Sequence, residues 1–107
     1  MDELIKELRS RIIDLVELSV DGSKAESFKN LMERHSGEFI EVTKASENKD
    51  LVKSKFSNFI NRTLSTVEAL GLEEKQYKAI RKLILNEMNG CLDVILVNVD
   101  KKTIKEV

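Results

Sequence analysis

The chain has no proline and no tryptophan, and only one cysteine, one histidine, four glycines and five aromatic residues in 107 positions. Each scarcity removes a class of molecule. Without proline, no residue forces a helix to kink or break. A lone cysteine, Cys91, cannot form an internal disulfide, which suits a reducing compartment. One histidine, His35, cannot supply the two Glu-x-x-His motifs of a di-iron bundle, nor support a case for a Ser/His/Asp set. A metal at His35 would need further ligands, for which Glu38 at i+3 is one candidate, but the chain offers no second histidine or thiolate cluster. No catalytic residue, metal or cofactor is therefore expected. The aromatic residues Phe28, Phe39, Phe56, Phe59 and Tyr77 are too few to make a base-stacking platform.

Long apolar runs are missing as well. No stretch approaches the ~20 residues a membrane span requires. The opening Met1-Asp2-Glu3 places acids where a secretory signal carries basic residues. The expectation is a soluble, cytoplasmic protein with no membrane partner. At 107 residues the chain is expected to form one domain, long enough to bury a core without a staple.

What is present is charge and periodicity. Charged residues make up 35% of the chain and apolar residues 41%, a balance typical of thin helical bundles with wide wet faces. The net charge is −1, unevenly spread. Residues 1–47 carry 7 Lys/Arg against 11 Asp/Glu, whereas residues 48–107 carry 11 against 8. Such asymmetry points to a basic surface, or to an acidic half that neutralises it by packing alongside.

Four apolar stripes recur at helical spacing, predicting helices over about 2–20, 23–43, 49–70 and 73–98, with a flexible tail over about 100–107. In the first, Leu4, Ile5, Leu8, Ile12, Leu15 and Val16 share a face, with Asp2 as N-cap and Asp21-Gly22 as the stop. Ser23-x-x-Glu26 reads as a capping box for the second. Ala25, Phe28, Met32, His35, Phe39 and Val42 form its seam. From Thr43 to Asp50 the stripe lapses, so Ser46-Glu47-Asn48 is read as a turn; one helix from Ser23 to Leu70 is the alternative. The third helix buries Val52, Phe56, Phe59, Ile60, Leu64, Val67 and Leu70, and Gly71-Leu72 suits a Schellman ending. The fourth is expected to bury Tyr77, Ile80, Leu83, Ile84, Met88, Cys91 and Ile95.

The segment Leu92–Val99 is apolar almost all round. Asn89-Gly90 before it permits a turn, so a hairpin with the tail competes with a continuous helix; the helix is favoured because the chain offers no other strand. A helix that is apolar on every side must be buried on every side. Leu92, Val94, Ile95, Leu96, Val97 and Val99 are therefore the expected self-association or partner surface. The fold class expected is an all-α antiparallel bundle of about four amphipathic helices, completed by dimerisation if one chain cannot cover that segment.

Other patterns carry less. Glu38-x-x-Glu41 and Glu47-x-x-Asp50 resemble the carboxylate pairs with which all-α nucleotide pyrophosphatases of the MazG kind hold magnesium. Here the pairs stand too close in sequence and the second falls in the expected turn, so that family is not assigned. Val67-x-x-Leu70-Gly71-Leu72 resembles the turn of a helix-turn-helix, yet the recognition positions would be Glu73 and Glu74, which repel phosphate. Lys75, Lys78, Arg81 and Lys82 form a basic strip for nucleic-acid contact, extended by Lys49, Lys53, Lys55 and Arg62 and by Lys101, Lys102 and Lys105. The expected function is a small non-enzymatic binding or regulatory protein (an adaptor, an inhibitor or a phage-type accessory protein) with a protein partner, itself or another. Nucleic-acid binding is the alternative.

Overall fold

Four α-helices joined by short connections form the described chain: α1 (Asp2–Glu17), α2 (Gly22–Thr43), α3 (Lys49–Glu68) and α4 (Glu74–Glu106). This computed structural model describes residues 2–44, 46 and 48–106, with side chains as far as Val99. Connections this short leave successive helices antiparallel. α1 packs on α2 and α4, and α3 packs on the same two, so the helices close a ring around one core. The result is an all-α bundle with no strand among the described residues.

The helix ends show which local signals prevailed. A turn does separate α2 from α3, so the single helix from 23 to 70 does not form. Asn48 caps α3, its Oδ1 accepting from the Leu51 N–H at 3.2 Å; Glu47 lies outside the described residues. The Ser23–Glu26 capping box is not used. α2 starts at Gly22 behind an extended Asp21 whose side chain makes no cap bond, so Ser23 already sits inside the helix. Gly22 accordingly does not stop α1, which ends at Glu17. The left-handed glycine comes instead after α3. Gly71, at φ 73°, holds the only positive φ among the described residues, and its N–H bonds to the Glu68 carbonyl at 3.3 Å. Leu72 packs back onto the core, the apolar contact expected of a Schellman ending, although that motif's bond from the Leu72 N–H to the Val67 carbonyl does not form. Lys24 at the start of α2 donates to the Leu70 carbonyl at 3.0 Å, tying the two ends together.

α4 is continuous through Leu92–Val99, which excludes the hairpin, and its backbone stays helical to Glu106 instead of ending near residue 98. At 1.5 Å per residue its 33 residues span about 50 Å, which is the 51 Å long dimension of the molecule. The side chains of residues 100–107, including Lys101, Lys102 and Lys105, lie outside those described.

The core is aliphatic where α1 meets α4 and carries a cluster of three phenylalanines between α2 and α3. Ile5, Leu8, Ile12 and Val16 of α1 are fully buried against Ile84, Met88 and Ile95 of α4 and the apolar faces of α2 and α3. Between α2 and α3, Phe39 meets Phe56 edge-on at 5.3 Å and stacks with Phe59 at 5.7 Å, while Phe56 and Phe59 meet edge-on at 5.7 Å. Two seams run differently from expectation. Val42 is 52% exposed, and the α2 seam passes through Phe28, Met32, Ser36, Phe39 and Thr43. On α3, Thr63 takes a fully buried place between Phe59 and Val67. These hydroxyls are tolerated because each donates back to its own helix: Thr43 to the Phe39 carbonyl at 2.7 Å, Thr63 to the Phe59 carbonyl at 2.9 Å, and Ser36 to the Glu33 carbonyl at 3.1 Å. Ser36 also accepts from Arg9 of α1 at 3.3 Å.

Candidate interaction surfaces

α4 carries two apolar stripes. The first faces the core: Ile80, Ile84, Met88, Cys91, Ile95 and Val99 are all buried. Ile95 and Val99, expected on the association surface, are therefore corrected to core positions. α4 packs along both α1 and α3, and Ile95 and Val99 fall on its buried face. Leu92 and Leu96 are half-buried against the same core. The excess apolar surface comes down to Val94 and Val97, 46% and 51% exposed, together with Leu83 at 48%. Leu83, expected in the core stripe, is not there. Leu83, Gly90 and Val97 recur every seven residues, with Val94 beside them, along a line rotated about 120° from the core stripe at 3.6 residues per turn.

That second stripe borders α1. Arg11 Nε donates to Glu87 Oε2 at 2.8 Å, and the Cys91 thiol lies 4.0 Å from the Leu4 carbonyl. Between Leu4 and Arg11 of α1 and Glu87, Gly90 and Val94 of α4 runs a shallow groove of about 250 Å³. Just past the C-terminal end of α1, Leu18 is 86% exposed. The α1–α4 edge is thus a surface with apolar side chains toward both ends and an ion pair in the middle. Burial raises the Cys91 thiol above its ordinary value, against the weaker opposite pull of Arg11. Burial and a raised pKa both lower the reactivity of a thiol.

The basic residues do not converge into one strip. Lys75, Lys78, Arg81 and Lys82 are all exposed at the N-terminal end of α4. Lys75, Lys78 and Lys82 share a face, Arg81 is turned about 100° from Lys82, and Lys78 is paired with Glu74 at 3.1 Å. Lys49 and Lys53 begin α3, which runs antiparallel to α4, so they stand at the other end of the bundle. Lys55 lines a different cleft, and Arg62 is bonded to Glu38.

That different cleft, about 210 Å³, lies between α2 and α3 above Phe39 and Phe59. His35 sits at its edge, with Nε2 3.4 Å from Thr66 Oγ1. The Thr66 hydroxyl donates its own proton to the Arg62 carbonyl at 2.8 Å. Toward the imidazole it can only accept, so Nε2 carries the hydrogen. The buried Nδ1 has no hydrogen-bond partner. A proton there would be stranded, and the His35 pKa is lowered from its ordinary value. Burial is the main cause, followed by the Arg62 charge, with Glu38 opposing. Glu38 is occupied by Arg62 and by Arg34 at 3.6 Å. Among the described residues no group of three His, Cys, Asp or Glu side chains is placed to hold a metal ion.

Sequence reasoning missed the exposure of Leu83 and Leu18. The available signal was the seven-residue spacing Leu83–Gly90–Val97 running beside the core stripe. Among the described residues no helix is long and apolar enough to cross a membrane. Compared with known protein families, with curated proteins and with solved structures, the chain matches none.

Proposed function

We propose that this chain is a non-enzymatic, cytoplasmic binding protein that acts through protein–protein contacts along its α1–α4 edge. The observation that carries this reading is the second apolar stripe on α4. Single exposed apolar residues are ordinary on any surface. Aligned ones bordering a groove mark a contact surface. A buried Cys91 of raised pKa and a neutral His35 without a carboxylate partner offer no nucleophile and no acid–base pair. The cytoplasmic location rests on the single unpaired thiol.

The test is affinity capture from the native host, comparing the wild-type chain with the double variant Val94→Asp, Val97→Asp. Both positions lie outside the core, so the variant is expected to fold and to lose a protein that the wild type retains. If the retained species are unchanged in the variant, the edge is not the contact surface. Nucleic-acid binding is the competing outcome. It predicts a salt-sensitive duplex shift lost on charge reversal of Lys75, Lys78, Arg81 and Lys82, and untouched by the two aspartates.

A further inference from the structure

We infer that the occupant of this edge is a second copy of the chain, docked antiparallel along α4 on a two-fold axis at Gly90. The inference rests on the reading of the α1–α4 edge as a protein-binding surface and adds what binds there.

Symmetry is the first argument. α4 spans Glu74–Glu106, and Gly90 is its midpoint. Leu83 and Val97 stand seven residues to either side of Gly90, and each is about half exposed. A two-fold axis at Gly90 overlays the full length of both helices and brings Leu83 of each chain opposite Val97 of the other. A foreign helix would have no need of an arrangement that reads alike in both directions; an isologous interface requires one.

Gly90 itself is the second argument. It lies inside a helix with an ordinary φ, and a Cβ built there would meet nothing within 4 Å. The isolated chain would be served better by alanine, the stronger helix former. Glycine at a crossing point lets two helix backbones approach closely, which is a use outside the single chain.

Charge and area agree. On the flank away from α1, Lys82 comes within about 7 Å along the axis of Asp93 from the second copy, in each of two symmetric places. On the flank toward α1, Glu87 is already neutralised by Arg11. α4 and the shorter edge of α1, each about 10 Å wide, present about 700 Å² in projection. A standard interface takes roughly 600–1,000 Å² from each partner.

The experiment is light scattering behind size exclusion over a concentration series, joined to cysteine cross-linking. The wild type is expected at twice the monomer mass, and Gly90→Ala is expected to keep or raise the melting temperature while weakening association at least tenfold. Under mild oxidation the double variant Leu83→Cys, Val97→Cys is expected to run as a covalent dimer. Neither single variant should do so, because equivalent sites lie about 21 Å apart along the axis, beyond disulfide reach. The wild type, with Cys91 facing the core, serves as the control. A dimer that cross-links through Leu83→Cys alone overturns the antiparallel register. A monomer whose captured host protein is lost with Val94→Asp, Val97→Asp overturns the second copy and leaves the binding edge standing. A monomer with no such loss removes both.

Discussion

Replacing Phe56 and Phe59 by alanine, one at a time, tests the core where its geometry is most specific. Both rings belong to the three-phenylalanine cluster between α2 and α3, and Phe-to-Ala changes in a core generally cost about 3–5 kcal/mol. Each truncation also removes two aromatic contacts, worth about 0.5–1.5 kcal/mol apiece beyond area burial and already within that range. The structure separates the two sites. Phe56 is fully buried, so its removal leaves an enclosed void. Phe59 borders the cleft of about 210 Å³, so water can follow the missing ring and Val42 and Lys55 can settle inward. Phe56→Ala should therefore fall near 5 kcal/mol and Phe59→Ala near 3 kcal/mol. For a domain of this size about 3 kcal/mol lowers Tm by roughly 12–24 °C. Urea unfolding followed by helical circular dichroism gives both values, provided the slope with denaturant is unchanged. A cost below about 1 kcal/mol at either site would refute the assigned helix faces. A larger cost at Phe59 than at Phe56 would refute the argument from the cleft.

Other outcomes follow from single observations. His35 has a lowered folded pKa, so the unfolded chain binds the proton more readily. Stability should be full above the ordinary histidine value of about 6.5 and fall as pH drops from there to the folded pKa. Denaturation midpoints between pH 8 and 5 should show this slope in the wild type and lose it in His35→Gln. Gly71→Ala should cost about 1–2 kcal/mol, because alanine must adopt a left-handed φ of 73° there. Gly71→Asn should cost less, as read by the same urea titration. Breaking the Arg11–Glu87 pair by Arg11→Ala should change stability by only about 0.2–1 kcal/mol, since both side chains are about half exposed. The Cys91 thiol should react with a disulfide reagent far more slowly in the native chain than in urea, as burial and its raised pKa require.

The periodicity of apolar residues was enough to determine four helices, the breaks at Ser46–Asn48 and at Gly71, and most of the core. Those features depend on local propensity, on caps and on the 3.6-residue repeat, all of which are written along the chain. The errors share a cause. Ser36, Thr43 and Thr63 were not among the expected seam residues because they are polar, yet each is buried and satisfies its hydroxyl within its own helix. The same bias toward apolar residues put Val42 and Leu83 in seams they do not join. Leu92–Val99 read as apolar almost all round, and nothing local could say that the bundle would cover Ile95 and Val99 while leaving Val94 and Val97 half exposed. Likewise the basic residues formed a strip only in sequence, because the antiparallel run of α3 and α4 carries Lys49 and Lys53 away from Lys75 and Lys82. A stripe tells that one face of a helix is buried. Which of two stripes meets the core depends on where the neighbouring helices end, and that is a property of the assembled bundle alone.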